Sequence, residues 1–291
     1  MNLNTLLTEA AERFEAEGLY FGHGTDNAWD EAVWLVFHVL GLPMDSDRSV
    51  LEMLLTEEQL AKSTAVIELR IQSRKPAAYL TQEAWFCGLP FYVDERVLVP
   101  RSPFAEIVKS QFQPWVEVDD VKNILELCTG SGCIAIACAQ YFPDAHIDAT
   151  DISTDALAVA KINVEKHDVN NQVSLIQSDV FADVPNKHYD VIVSNPPYVD
   201  AEDMAALPDE YRQEPADLAL AAGDDGLDIV KIIMKQAKKY LTETGILIVE
   251  VGNSYVALEA QFPDVPFVWL ELENGGHGVF LLTKQDLTAY F

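Results

Sequence analysis

The chain has no apolar run of the ~18 residues that a membrane-spanning helix needs, so no membrane span is expected. Its opening stretch, MNLNTLLTEAAERFEAEGLY, carries acids and no basic region ahead of an apolar block, and no secretory leader is expected. Cysteine is scarce. Cys87, Cys128, Cys133 and Cys138 form no CxxC pair and stand near no histidine-rich segment, which reads as free thiols in a reducing, cytoplasmic setting. The six histidines show neither HxxxH nor HxH spacing, so no metal site is expected. Cations are also few: 19 Lys and Arg stand against 47 Asp and Glu, for a net charge of −28. The acid is spread along the whole chain. Such a surface repels phosphate backbones, which argues against direct DNA binding, and it attracts a basic protein. Plain solvation of the surface explains the same excess equally well.

What is present is ordinary globular composition, 49% hydrophobic and 23% charged, over 291 residues, enough for one large unit and a smaller one. Residues 3–17 place Leu3, Leu6, Leu7, Ala10, Ala11 and Phe14 at helical spacing. A second helix containing AWDEAVWLVFHVLG has Asp26 as its expected cap and ends at Gly41. A third begins at a Thr56 cap and ends before Pro76. The first 80 or so residues therefore read as a small helical bundle. AWFCGLPFYVDERVLVPR follows, with aromatic and β-branched residues either side of Gly88-Leu89-Pro90 and Asp94-Glu95, and reads as a hairpin or paired extended strands acting as connector.

From Asn123 the texture changes. NILEL, HIDATD, VSLIQSD, YDVIVSN and GILIVEVG read as strands. SGCIAIACAQYF, TDALAVAKINVEKHDV (with Thr154 as its cap) and GLDIVKIIMKQAKKYL read as helices between them. Strands alternating with helices predict βαβ units and a parallel sheet covered on both faces. FVWLELEN and GVFLLTK are joined too closely for a crossover helix, so this last pair should be antiparallel.

In LELCTGSGCIA, Gly130 and Gly132 lie between a strand and a helix, where glycine permits positive φ and close approach of a ligand to the backbone. Asp151 follows the next strand, at the distance from the glycines where an acid bonds ribose hydroxyls in dinucleotide folds. This turn alone does not separate nicotinamide from other nucleoside cofactors. Gly130, Asp151, Asp179 and Asn195 all fall just past strand ends, which predicts one crevice along one sheet edge. At the fourth strand end stands Asn195-Pro196-Pro197-Tyr198. Proline ends ladder pairing and stiffens the backbone. A fixed carbonyl and the Asn195 amide oxygen can then both accept from one planar NH2 group, with the Tyr198 ring as a flat neighbour.

SNPPY, LELCTGSGCIA and ATDIS together resemble the S-adenosylmethionine-dependent methyltransferases of amino and amide nitrogens. RKPAAYLTQEAWFCGLPFYVDERVLVPRSPFAEIV is similar to the segment joining the two domains of protein-(glutamine-N5) methyltransferases. The release-factor branch reads Pro-Arg-Pro-Asp-Thr-Glu there. This chain reads Pro100-Arg101-Ser102-Pro103-Phe104-Ala105-Glu106, as the PrmB-type branch does, whose members methylate large-subunit ribosomal protein three.

The resemblance implies a Rossmann-like α/β class I methyltransferase domain over residues 105–291, with a mostly parallel seven-stranded sheet whose last strand is antiparallel. It implies a helical substrate-recognition domain over 1–83 and a hairpin connector over 84–104. It also implies S-adenosyl-L-methionine as cofactor, held by Glu126, Cys128, Thr129, Gly130, Ser131, Gly132, Asp151, Ile152, Asp179, Val180 and Asn195. Catalysis falls to Asn195, Pro196, Pro197 and Tyr198, without a general base, and Arg101 and Phe104 are candidate substrate contacts. Glu126 either faces the sulfonium or bonds loop amides, and Glu250 reads as a member of an ion pair. The implied partner is a basic ribosomal protein, free or in an early assembly particle. A release factor as substrate and a nicotinamide-dependent oxidoreductase are the alternatives.

Overall fold

The computed structural model describes residues 1–200, 210, 222–223, 225–273 and 275–291. The chain opens with helices α1 (Leu3–Ala16), α2 (Ala28–Leu40), α3 (Glu57–Ser73) and the short α4 (Ala77–Thr81). Cap chemistry sets their limits. Thr56 and Gln59 form a capping box ahead of α3, and Gly41 closes α2 in the left-handed conformation. The N-cap of α2 is Asn27, whose side chain accepts from the Asp30 amide at 2.9 Å, and not the expected Asp26. The expected hairpin is present. Strands β1 (Ala84–Phe86) and β2 (Leu89–Phe91) pair antiparallel across Cys87-Gly88, so Leu89 and Pro90 belong to a strand and not to the turn.

After α5 (Phe104–Lys109), the elements alternate as β3 (Asn123–Leu127), α6 (Cys133–Tyr141), β4 (His146–Asp151), α7 (Thr154–Lys166), β5 (Val173–Gln177) and β6 (Tyr189–Ser194). Then come α8 (Asp228–Ala237), β7 (Leu241–Glu250), α9 (Tyr255–Gln261), β8 (Val268–Trp269), β9 (Val279–Thr283) and α10 (Lys284–Tyr290). The N-cap of α7 is Ser153, not Thr154. The sheet is seven-stranded in the order β5-β4-β3-β6-β7-β9-β8. It is parallel except for β9, which runs antiparallel to both β7 and β8.

Period-two alternation divides the sheet between two cores. On one face Ile124, Val191, Val193, Ile246 and Ile248 pack with α5 and α6; on the other Leu125, Leu127, Ile192, Leu247 and Val249 pack with α8 and α10. The same alternation turns Glu126 and Glu250 toward the first face, where α6 and the connector lie. The helical bundle has its own core, which runs through Val93, Val97 and Val99 of the connector onto Ala156 and Val159 of α7. Among the described residues no helix is long and apolar enough to cross a membrane.

Arg70 of α3 is fully buried. Its Nε donates to Glu31 of α2 at 2.5 Å, and its Nη2 donates to the Tyr20 carbonyl at 3.1 Å. Glu210, from beyond β6, accepts from the Tyr20 amide and pairs with Arg74 at 2.9 Å. One ionic network thus joins α2 and α3 to Glu210. Arg70→Ala would strand Glu31 as a buried carboxylate. It should lower the unfolding free energy by about 3–5 kcal/mol in urea titrations followed by circular dichroism.

Candidate active site

β3 and β6 are neighbours, with Leu127 paired to Ser194, and the strand order reverses direction between them. The crevice of an open parallel sheet therefore opens where Cys128 and Asn195 leave it. A cavity of about 510 Å³ lies there. Glu126, Cys128, Thr129, Gly130 and Ser131 reach it from the glycine turn, and Asp151, Ile152, Asp179 and Val180 from the next two strand ends. Asn195, Pro196, Pro197 and Tyr198 reach it from β6, and Arg101 from the connector.

Two expected residues do not line it. Phe104 is fully buried at the start of α5, packed in the core of the sheet's first face, so it is not a substrate contact. Gly132 has φ +80°, and a Cβ there would lie 3.2 Å from Ala160 Cβ. It lets α7 pack close to the turn. Gly130, by contrast, faces open space and leaves its backbone approachable.

Two side-chain-bearing residues of the lining, Cys128 (φ +61°) and Val180 (φ +50°), hold the left-handed conformation. Such strain is worth on the order of 1–3 kcal/mol each and persists where the surroundings enforce it. Around Val180 the enforcement comes from Ser178, whose hydroxyl donates to the Val180 carbonyl at 3.0 Å and accepts from the Asp183 amide at 3.0 Å. Burial pushes the Cys128 thiol up to about 12, so it stays protonated at neutral pH.

Carboxylates fix the turn. Asp151 accepts from the Gly130 amide at 2.9 Å and from the Ser153 amide at 2.9 Å, which ties the end of β4 to the glycines. Burial raises its pKa, partly offset by these amides. Glu126 accepts from the Thr129 hydroxyl and, at 2.9 Å, from the Ala135 amide in the first turn of α6. It therefore bonds the loop, the second of its two expected readings, while also lining the cavity. Burial pushes it up to about 8, against the pull of those two donors, so it is protonated at neutral pH.

Asn195 is the first residue beyond strand pairing, since Ser194 still pairs with Leu127 and Val249. Tyr198, three residues on, is held from several sides. Its hydroxyl donates to Glu250 at 2.8 Å, and its carbonyl accepts from the Ser254 hydroxyl at 2.7 Å. Its ring lies on Gly252, where a Cβ would come within 2.6 Å of Cε2. Ser102 of the connector donates to the other Glu250 oxygen at 2.6 Å. Burial raises the pKa of Glu250, while the two hydroxyls and the charge of Arg101 favour its ionised form.

Residues 112–209 match the family model described as "Methyltransferase small domain". The chain is 48% identical to the ribosomal protein uL3 glutamine methyltransferase of Francisella tularensis, over 99% of this chain and 93% of that one. It is 50% identical to the enzyme of the same description from Neisseria gonorrhoeae, over 98% and 95%. The chain belongs to this family of protein-glutamine methyltransferases. The hMettl16 catalytic domain, solved in complex with MAT2A 3′UTR hairpin 6, is similar in fold alone: TM-score 0.52 and 17% identity over 78% of this chain and 81% of that one. The fold is that of class I methyltransferases, and membership of this family removes the nicotinamide oxidoreductase alternative.

Residues outside the expected set also hold this methyltransferase site together. Asn163 of α7 is fully buried; its Nδ2 donates to the carbonyls of Tyr92 and Ser131, and its Oδ1 accepts from the Tyr92 amide. It thereby clamps the connector to the glycine turn. Its signal was in the sequence: an asparagine in register with Ala156, Val159 and Ala160 on the apolar stripe of the helix. Ser102, Ser254 and Gly252 carried no such signal.

The raised pKa of Glu126 has a signed consequence. Between the ordinary carboxylate range and about 8, the folded chain keeps a proton that the unfolded chain has released, so stability falls as pH rises through that window. Glu126→Gln removes this slope. From about pH 6 to about pH 9 the wild type should lose on the order of 2–3 kcal/mol relative to the variant, read from urea midpoints at each pH. Parallel pH curves would mean that Glu126 is ionised in the fold.

Proposed function

We propose that the chain transfers a methyl group from S-adenosyl-L-methionine to the side-chain amide nitrogen, N5, of a glutamine in the large-subunit ribosomal protein uL3. The observation that carries this reading is the stiff Asn195-Pro196-Pro197-Tyr198 segment, which opens from β6 into the same cavity as the glycine turn and Asp151. The near full-length likeness to uL3 glutamine methyltransferases supports the choice of substrate.

The cavity residues fit the cofactor. Open space at Gly130 admits the methionine part against backbone, and Asp151 takes the ribose hydroxyls. Asp179 and the constrained Val180 stand where the adenine ring would lie. When bound, the cofactor supplies an electrophilic methyl on a cationic sulfur. An amide nitrogen is a weak nucleophile because its lone pair is delocalised into the carbonyl. Its two N–H groups point to Asn195 Oδ1 and the Pro196 carbonyl, carried on a backbone that two prolines stiffen. Both bonds strengthen as positive charge grows on the nitrogen, which is stabilisation of the transition state more than of the ground state. The nitrogen becomes acidic as the new N–C bond forms, so its proton leaves to water without a dedicated base. The Tyr198 ring, anchored by Glu250, keeps the amide plane in line.

The helical residues 1–83 form the part that recognises the substrate, joined to the catalytic part by the connector 84–104. The substrate is the free ribosomal protein or an early assembly particle. The −28 surface draws a basic protein and repels the same protein once RNA surrounds it. The reaction takes place in the cytoplasm, where ribosomal proteins are made.

Labelled S-adenosylmethionine incubated with unmethylated uL3, and separately with release factors, should label uL3. Labelling of the release factor alone would overturn the substrate assignment. Asn195→Ala should leave cofactor affinity nearly unchanged and slow single-turnover transfer by roughly 10²-fold or more. An unchanged rate would remove Asn195 from the chemistry.

A further inference from the structure

A second cavity, of about 960 Å³, lies between α2, the loop after it, β1 and the connector. Its floor is apolar. Val33, Trp34 and Phe37 of α2 line it, and all three also belong to or pack against the bundle core. Two large apolar side chains stand exposed at the edge, Met44 at 53% and Trp85 at 51%. The Trp85 indole is not loose: it donates to Glu83 at 3.1 Å.

The charge of the groove has one sign. Among the described residues Asp26, Asp30, Asp45 and Glu83 line it, and no lysine or arginine does. Nucleic acid is disfavoured on that ground. The groove adjoins the active site: Val99 and Pro100 line both cavities, and Arg101, next in the chain, lines the active-site cavity. Both residues are buried, so the wall between the two cavities is fixed.

We propose that this groove binds the stretch of the substrate protein next to the modified glutamine, with an apolar or aromatic side chain against Met44 and Trp85 and lysines or arginines against the four carboxylates. The assignment rests on the reading under Proposed function, in which the substrate is a basic ribosomal protein. The two cavities share the Val99-Pro100 wall, so a protein that places its glutamine at Asn195 has neighbouring surface beside the groove. The volume lies in the range of about 300–1,000 Å³ that holds well-buried ligands, and an exposed tryptophan beside a fixed apolar floor is the kind of anchor that dominates interface energies. The groove thus supplies the affinity that the glutamine side chain alone is too small to provide.

The test uses the full-length enzyme and free, unmethylated uL3. Trp85→Ala and Asp45→Lys change exposed side chains, so neither threatens the fold, and Trp85→Phe serves as the conservative control. Each of the first two should raise KM about tenfold, leave kcat within about twofold, and leave S-adenosylmethionine affinity in calorimetry unchanged, as expected for lost docking contacts away from the chemistry. Trp85→Phe should restore most of the loss. An unchanged KM for both variants, with a wild type that does label uL3, overturns the groove and leaves the methyltransferase reading standing. A fall in kcat at constant KM also overturns it. A wild type that labels no uL3 overturns the reading and the groove together. A wild-type dimer in sedimentation velocity that dissociates in Trp85→Ala would assign the groove to a second copy of the chain instead.

Discussion

The backbone leaves the sheet after Ser194 and cannot return to it, because Pro196 and Pro197 have no amide hydrogen to give. The proposed catalytic geometry depends on that constraint. It presents the Asn195 amide oxygen and the Pro196 carbonyl at the mouth of the crevice instead of in a ladder. Stiffness alone does not place the segment, and Tyr198 anchors its far end. Glu250 at the end of β7 takes its hydroxyl, Ser254 takes its carbonyl, and Gly252 is small enough for its ring to lie on. Ser102 brings the connector onto the same carboxylate. The segment joining the helical bundle to the sheet is thus fastened two hydrogen bonds away from the acceptor site.

Buried carboxylates recur at each joint of the molecule. Glu126 binds the glycine turn to α6, Asp151 binds it to β4, Glu250 binds Tyr198 to the connector, and Glu31 binds α2 to α3 through Arg70. Three of these, Glu126, Asp151 and Glu250, line the active-site cavity. Burial raises all three pKa values. A cavity so equipped favours a cationic ligand over an anionic one, which suits a sulfonium cofactor and a basic substrate.

Several features were legible in the residue order because they rest on local rules. Alternation of strands and helices implied the parallel sheet, and the short last connection implied the antiparallel pair. The strand-end positions of Gly130, Asp151, Asp179 and Asn195 implied a shared crevice. Where reading failed, two neighbouring residues had equal local claims or the deciding contact was distant. Asp26 and Asn27 are both good caps, as are Ser153 and Thr154, and only the path of the chain chose between each pair. Phe104 sits in a motif-like segment, but the first turn of α5 points it into the core. The Ser102–Glu250 bond spans 148 residues and depends on which face β7 turns to the connector, which no local pattern records.

The most direct test of the central claim is a crystal structure of the enzyme with S-adenosylhomocysteine and a substrate segment containing the glutamine. The glutamine nitrogen should lie within about 3.2 Å of both Asn195 Oδ1 and the Pro196 carbonyl oxygen, with the amide against the Tyr198 ring. A glutamine whose nitrogen turns away from both acceptors and bonds a carboxylate or solvent instead would contradict the account.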